Sequence, residues 1–238
     1  MGKSKAQIAA NKDRVRQELP LNVQDWSRQC VLPYPLEFEA SINQLLEAAR
    51  LASQGGEKQV DHAKQLIGAM NDAEMRSWFD DLAQNSGTVR LDILKRKHER
   101  VLGKSSIKRP TKKQELEIIA EHGFHCRYCG IRLVPNEQFK KLQAIVGYDI
   151  LPNRSKENKK TRNIDIHGIW LLTRATVDHV EPVSGGGLDV NRRENLVACC
   201  WPCNYAKWKY TIKDLEIDNP TIRPPKKTDW RGLTDILP

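Results

Sequence analysis

The stretch Thr176–Lys207, TVDHVEPVSGGGLDVNRRENLVACCWPCNYAK, decides how this chain is read. It holds an Asp178-His179 pair, an isolated Asn195 and the run Cys200-x-x-Cys203-Asn204. A second Cys-x-x-Cys, Cys126 and Cys129 in HCRYCG, lies upstream. Two such pairs have the spacing of a tetrahedral four-thiolate zinc site, which is closed and structural. The expected ligands are Cys126, Cys129, Cys200 and Cys203; Cys199 is the spare, because using it would lengthen the spacing to Cys203 and disturb the helix start. Ordinary buried cysteines are the alternative, but two independent pairs at this spacing seldom arise by accident. Between the thiol pairs sit a carboxylate, an imidazole and an amide, groups suited to a hard divalent ion and a phosphodiester.

Outward from this stretch, the 238 residues suit one or two domains with a real core. The formal charge of +9, with a pI near 9.3, implies an acidic partner. That surplus is local. Residues 90–113 carry ten Lys/Arg against Asp92 and Glu99, whereas residues 37–81 carry four basic against nine acidic side chains. No run of 18 apolar residues exists, so no membrane span or membrane partner is expected. The start MGKSKAQIAANKDR has no apolar core, and Lys5 and Ala6 fit myristoylation poorly. Six cysteines, four in metal-type pairs, suit a reducing cytoplasm.

The expected fold class is α+β: a helical domain over 1–110, then a zinc-stapled domain over 111–238, divided at the loop GKSSIKRP. Phe38, Ile42, Leu45, Leu46 and Ala49 predict a helix over 37–54 closed by Gly55-Gly56. Val60 to Met70 repeats the period, and a third helix with Met75, Trp78, Phe79 and Leu82 takes Asn71 or Asp72 as its cap. Further helices are expected over 112–121 and 135–148, a polar basic loop over 153–163, and extended chain over 164–180. Asn195–Ala198 then forms a second strand, followed by a helix over 200–209. The Pro-rich tail from Asp218 is expected to wrap the surface without a core of its own.

The motifs CRYCG, VDHVEPVSGGG, NRRENLV and CCWPCNYAK together resemble the HNH endonuclease family, over about residues 115–212. The resemblance implies a ββα-metal fold flanked by the zinc site. It also implies His179 as general base, Asp178 and Asn204 as Mg²⁺ ligands, and Asn195 as positioner of the base. The gap from Asn195 to Asn204 resembles that in the HNH domain of RNA-guided CRISPR nucleases. The roughly 45 residues between Gly130 and Asp178 depart from compact members, which have a short turn there. The implied activity is hydrolysis of DNA phosphodiesters to 5′-phosphate and 3′-hydroxyl ends, with nicking by each active site.

The chemistry agrees. Asp178 and His179, adjacent on extended chain, point to opposite sides, so one can face an ion and the other the attacking water. Oxygen ligands from Asp and Asn leave an octahedral ion open to water and phosphate. Neutral His179 can take a proton near neutral pH. Asn195 is alternatively a turn residue, Asn204 a capping amide and Lys207 either a phosphate or water contact or a solvated lysine. His125 and His167 suit structural or substrate-contact roles. The basic run, with Lys95, Arg96, Lys97, Arg100, Lys104, Lys108 and Arg109, fits contact with a DNA backbone, or else a solvated helix. The acidic helices before it suit docking of a protein partner, for example an ATPase, in a defence- or restriction-type effector. A non-catalytic zinc module that binds nucleic acid, or an RNA-directed nuclease, remains open at this stage.

Overall fold

The computed structural model describes Pro35, residues 37–83, 110–153, 163–183, 191–208, 210–215, 217–222, 224–226 and 228–238, with the side chains of 81–83 excepted. The basic residues 90–109, the loop 154–162 and the glycine run 185–187 lie outside the described residues. Within them the protein is mixed: helices toward the N-terminus, then a small two-stranded sheet with its helix.

Three helices come first: α1 (Phe38–Gln54), α2 (Glu57–Gly68) and α3 (Asp72–Ala83). The apolar spacing explains them, since Phe38, Ile42, Leu45, Ala48, Ala49 and Ala52 of α1 share a buried stripe. Gly55 ends α1 at φ 71°, a conformation that costs glycine nothing. Asn71 Oδ1 accepts the Glu74 N–H at 3.2 Å and caps α3. Helix α4 (Lys112–Glu121) opens with a reciprocal capping box between Thr111 and Gln114. Helix α5 (Asn136–Val146) follows the cysteine knuckle.

The expectation of extended chain over 164–180 needs correction. Residues Gly168–Thr173 form a short helix, α6, and only Ala175–His179 is strand, β1. The reason is tertiary burial, which overrides the β preference of a short apolar run. All six residues of α6 are buried, Trp170 stacks on Phe139 of α5 with centroids 4.7 Å apart, and His167 Nδ1 accepts the Ile169 N–H as an N-cap. Helix α3 lies close against α6: a Cβ on Gly168 would stand 2.6 Å from Met75 Cβ, and Asp72 accepts the Gly168 N–H.

Strand β2 (Leu196–Cys200) pairs antiparallel with β1, with Ala175 opposite Cys200 and His179 opposite Leu196. Helix α7 (Trp201–Lys207) follows directly with Pro202 in its first turn, and a short α8 (Ile212–Leu215) ends the order. Among the described residues a hydrophobic cluster runs from Phe38 and Met75 through Tyr128, Leu142 and Val197 to Leu237. Arg132 joins the first helix to the knuckle, donating to Glu39 Oε2 and Asn43 Oδ1, each at 2.7 Å. The tail differs from expectation, since Trp230, Leu233 and Leu237 enter this cluster. Buried Arg127 fastens it by donating to Pro220 O at 2.6 Å and Pro224 O at 2.9 Å.

Candidate active site

The sulfurs of Cys126, Cys129, Cys200 and Cys203 lie within 4.8 Å of one another, and all four residues are buried. Alternation along β2 sends Cys200 into this cluster and Cys199 to the other face, where its Sγ lies 3.2 Å from Thr176 Oγ1. A tetrahedral zinc ion with Zn–S bonds of about 2.3 Å has sulfur–sulfur edges of about 3.8 Å. Cys129 and Cys200 stand 3.7 Å apart, so the cluster has the dimensions to hold a structural metal such as zinc. The Cys129 N–H points to Cys126 Sγ at 3.4 Å. In the knuckle, Gly130 takes φ 80° and donates to Cys126 O at 2.9 Å, which closes the turn.

The same knuckle carries Tyr128, which is fully buried and donates its hydroxyl to Asp178 Oδ2 at 2.7 Å. Lys207 approaches that oxygen from α7 at 3.1 Å and donates to His179 O at 2.8 Å. Its side chain is 0% exposed, so the ammonium holds the strand and the carboxylate rather than meeting solvent or a phosphate. Burial raises the pKa of the Asp178 carboxyl, against the opposing pull of Lys207 and the Tyr128 hydroxyl. Burial, with Asp178 beside it, holds the Tyr128 phenol well above its ordinary range. The three groups therefore form a satisfied buried network.

His179 projects from β1 beside a cleft of about 1080 Å³ that Thr176, Asp178, Asn191 and Asn204 also line. Its Nε2 lies 2.8 Å from Asn191 Oδ1. A carbonyl oxygen only accepts, so Nε2 carries a proton in this contact, and in the neutral ring the lone pair is on Nδ1. Asn191 is a contact the sequence reading did not single out. Asn204 donates through Nδ2 to Thr176 Oγ1 at 3.1 Å and Val177 O at 3.3 Å. Its amide nitrogen is thereby committed to β1, which leaves Oδ1 as its ligand atom. Asp178, His179 and Asn204 thus meet at one cleft, and two of them offer the oxygen donors that suit a hard divalent ion.

Asn195 lies elsewhere. It is buried and clamps Glu181 from both sides, accepting its N–H at 2.7 Å and donating to its carbonyl at 3.0 Å. Its own carbonyl accepts the Val180 N–H at 2.9 Å. Asn195 therefore fixes the chain just past His179 instead of touching the imidazole. His125 is buried with Nδ1 2.6 Å from Gly123 O, and His167 caps α6 beside Asp72; neither lines the cleft. Of the basic candidates, Lys95, Arg96, Lys97, Arg100, Lys104, Lys108 and Arg109 lie outside the described residues.

An antiparallel pair and a following helix, with the four-thiol cluster at their junction, present His179 beside Asp178 and Asn204 in a ββα arrangement. Residues 161–209 match the family model described as HNH endonuclease, so the chain carries an HNH endonuclease domain there. The match contains Asp178, His179, Asn204, Cys200 and Cys203, while Cys126 and Cys129 lie before it. No curated protein and no solved structure matches the chain significantly.

Proposed function

We propose that the protein is a metal-dependent endonuclease that hydrolyses DNA phosphodiester bonds, one strand per active site. The observation that carries this reading is the convergence of His179, Asp178 and Asn204 on one cleft within the matched HNH domain. Zinc would be held by Cys126, Cys129, Cys200 and Cys203 in a structural role, and Mg²⁺ or a similar ion by Asp178 and Asn204. That second ion, when bound, supplies positive charge for the phosphate and the leaving 3′ oxygen.

The chain's own residues do the rest. His179 Nδ1 takes the proton of the attacking water, while Asn191 fixes the ring through Nε2. Lys207 holds the His179 carbonyl, and Asn195 holds the next turn of chain, so the base is restrained on both sides. Tyr128 and Lys207 share Asp178 Oδ2 and orient the carboxylate.

The wider role we infer is that of a cytoplasmic defence- or restriction-type effector acting with a partner. Basic residues 90–109 would contact the DNA backbone. Helices α1–α3, in the acidic part of the chain, suit a protein partner such as an ATPase better than DNA. A nicking assay on supercoiled plasmid tests the core of the proposal. Mg²⁺-dependent nicking should be abolished by EDTA and reduced at least about 10²-fold in His179→Ala, the low end for loss of a general base. Undiminished nicking in excess EDTA would refute the metal mechanism. Competition by RNA as effective as by DNA would redirect the substrate assignment.

A further inference from the structure

Alternation along β1 puts Thr176 and Asp178 on one face, about 7 Å apart along the strand. Helix α7 meets that face twice: Asn204 bonds to Thr176, and Lys207, one turn further on, to Asp178. Asn204 and Asp178 are thus neighbours, as two ligands of one ion must be. Asp178 is held by Lys207 and Tyr128; Asn204 is held from β1.

A threonine hydroxyl has one proton and two lone pairs. The Thr176 hydroxyl donates to Cys199 O at 3.0 Å. One lone pair accepts from Asn204 Nδ2 at 3.1 Å, and the Cys199 thiol, 3.2 Å away, is placed to donate to the other. The second Asn204 Nδ2 proton goes to Val177 O at 3.3 Å. The hydroxyl is then fully used and the direction of the amide is fixed. A reversed amide would set Oδ1 against Val177 O, which has no proton to give, and against a hydroxyl whose proton is committed. Oδ1 is therefore turned away from β1, on a side chain that lines the cleft. Cys199, the thiol left over from the four-cysteine cluster, is fully buried and supports the hydroxyl here.

We propose that Thr176 is a positioning residue for the divalent-ion site. Its hydroxyl, steadied by Cys199, orients the Asn204 amide so that Oδ1 is presented beside Asp178. Without that anchor the amide can rotate, and the ion should bind more weakly. This inference rests on the nuclease reading for the ion, and on these hydrogen bonds alone for the orientation.

The test titrates Mn²⁺, a paramagnetic stand-in for Mg²⁺, into the zinc-loaded full-length protein without DNA and reads unbound Mn²⁺ by electron paramagnetic resonance. Thr176→Val keeps the branched shape and removes the hydroxyl. It should weaken Mn²⁺ binding by about 10- to 100-fold, the range for losing an outer partner of a metal ligand. Thr176→Ser should restore near-wild-type affinity. Thr176→Ala compared with Thr176→Ser isolates the same hydroxyl in a smaller side chain, and decides the matter should the valine variant lose its zinc. In an Asn204→Ala background, itself weak in Mn²⁺ binding, removing the hydroxyl should have no further effect. A role in packing alone would lower Tm and leave Mn²⁺ affinity unmoved. Wild-type Mn²⁺ affinity in the variants without the hydroxyl, or a loss of equal size with and without Asn204, would overturn the inference. Plasmid nicking by the same preparations separates the two readings. Weak Mn²⁺ binding in Asn204→Ala but not in Thr176→Val or Thr176→Ala leaves the nuclease and removes the role of Thr176. Coupled losses of Mn²⁺ binding in a protein that nicks no DNA leave the role of Thr176 and remove the nuclease.

Discussion

Replacing Lys207 by Met tests the buried network most directly. Lys207 Nζ stands 3.1 Å from Asp178 Oδ2, with the lysine side chain fully buried and that of Asp178 8% exposed. At an effective dielectric of about 20, two unit charges at this separation attract by roughly 5 kcal/mol. Desolvation offsets much of that gain, so the net worth of the pair is small. Losing one partner is different: Lys207→Met leaves a buried carboxylate with the Tyr128 hydroxyl and no neighbouring ammonium, at a cost of about 3–5 kcal/mol. For a chain of this size each kcal/mol moves Tm by about 2–4 °C, so a fall of roughly 6–20 °C is expected. Asp178→Asn combined with Lys207→Met removes both charges and should melt above Lys207→Met alone. Urea denaturation of the zinc-loaded proteins should give a coupling energy of at least about 1 kcal/mol. Acidification adds a sign. Burial raises the Asp178 pKa, so above the unfolded pKa the folded state binds more protons and loses stability as pH rises through the window up to the folded pKa. Removing Lys207 raises the folded pKa further, so the deficit of Lys207→Met should shrink as pH falls toward 5. Strict additivity of the two substitutions, or a deficit that grows on acidification, would refute the network as drawn.

Three further outcomes are expected. Cys203→Ser should release zinc and yield molten or insoluble protein, checked by metal analysis and near-UV circular dichroism, because a small metal-stapled unit takes its folding energy from the ion. His122 Nδ1 accepts the Ala198 N–H at 3.0 Å, and burial, with Arg127 and Arg193 nearby, lowers its pKa to about 4. Its contribution is thus complete above pH 6.5 and lost as pH falls from there toward 4, by no more than about 2 kcal/mol after allowing for solvent screening. His122→Asn, which keeps an acceptor at that place, should flatten this part of the pH–stability curve. Neutralising Arg96, Lys97 and Arg100 together should lower DNA affinity and reduce the log–log salt slope by up to about 0.9 per lost phosphate contact; an unchanged slope would move DNA contact to residues 154–162.

The elements that the sequence made legible are those whose signal is local. The stripe Phe38, Ile42, Leu45 and Ala49 defines α1 by itself, and Thr111 with Gln114 announces the start of α4. The four thiols were legible because their spacing alone implies convergence, and they do converge. What was missed depends on contacts distant in the chain. GIWLLT reads as a strand until Phe139 and α3 are placed around it, since so short a run, apolar at Ile169–Leu172, has no period to decide the matter. Asn191 reaches His179, twelve positions earlier in the chain, only because the two strands pair. The tail looked coreless because its prolines hid the single apolar residues Trp230, Leu233 and Leu237, each of which fills a site made by other elements.

Tyr128 links the four-thiol cluster to the candidate catalytic carboxylate. The HNH match supplies Cys200 and Cys203 but not Cys126 and Cys129, so the staple is completed by chain about fifty residues upstream of β1. Closing it brings in Tyr128, the residue between the first two thiols, whose hydroxyl reaches Asp178 at 2.7 Å. It also brings in Arg127, whose N–H donates to Ala198 O of β2 at 2.9 Å and whose guanidinium holds the tail. Lys207 completes the enclosure from α7, which begins directly after Cys200 and carries Cys203. Each group that restrains Asp178 therefore sits on an element fixed by a thiol of the cluster. Loss of the structural metal should misplace the carboxylate even where the hairpin survives, so metal content and cleavage should fall together across a series of thiol substitutions.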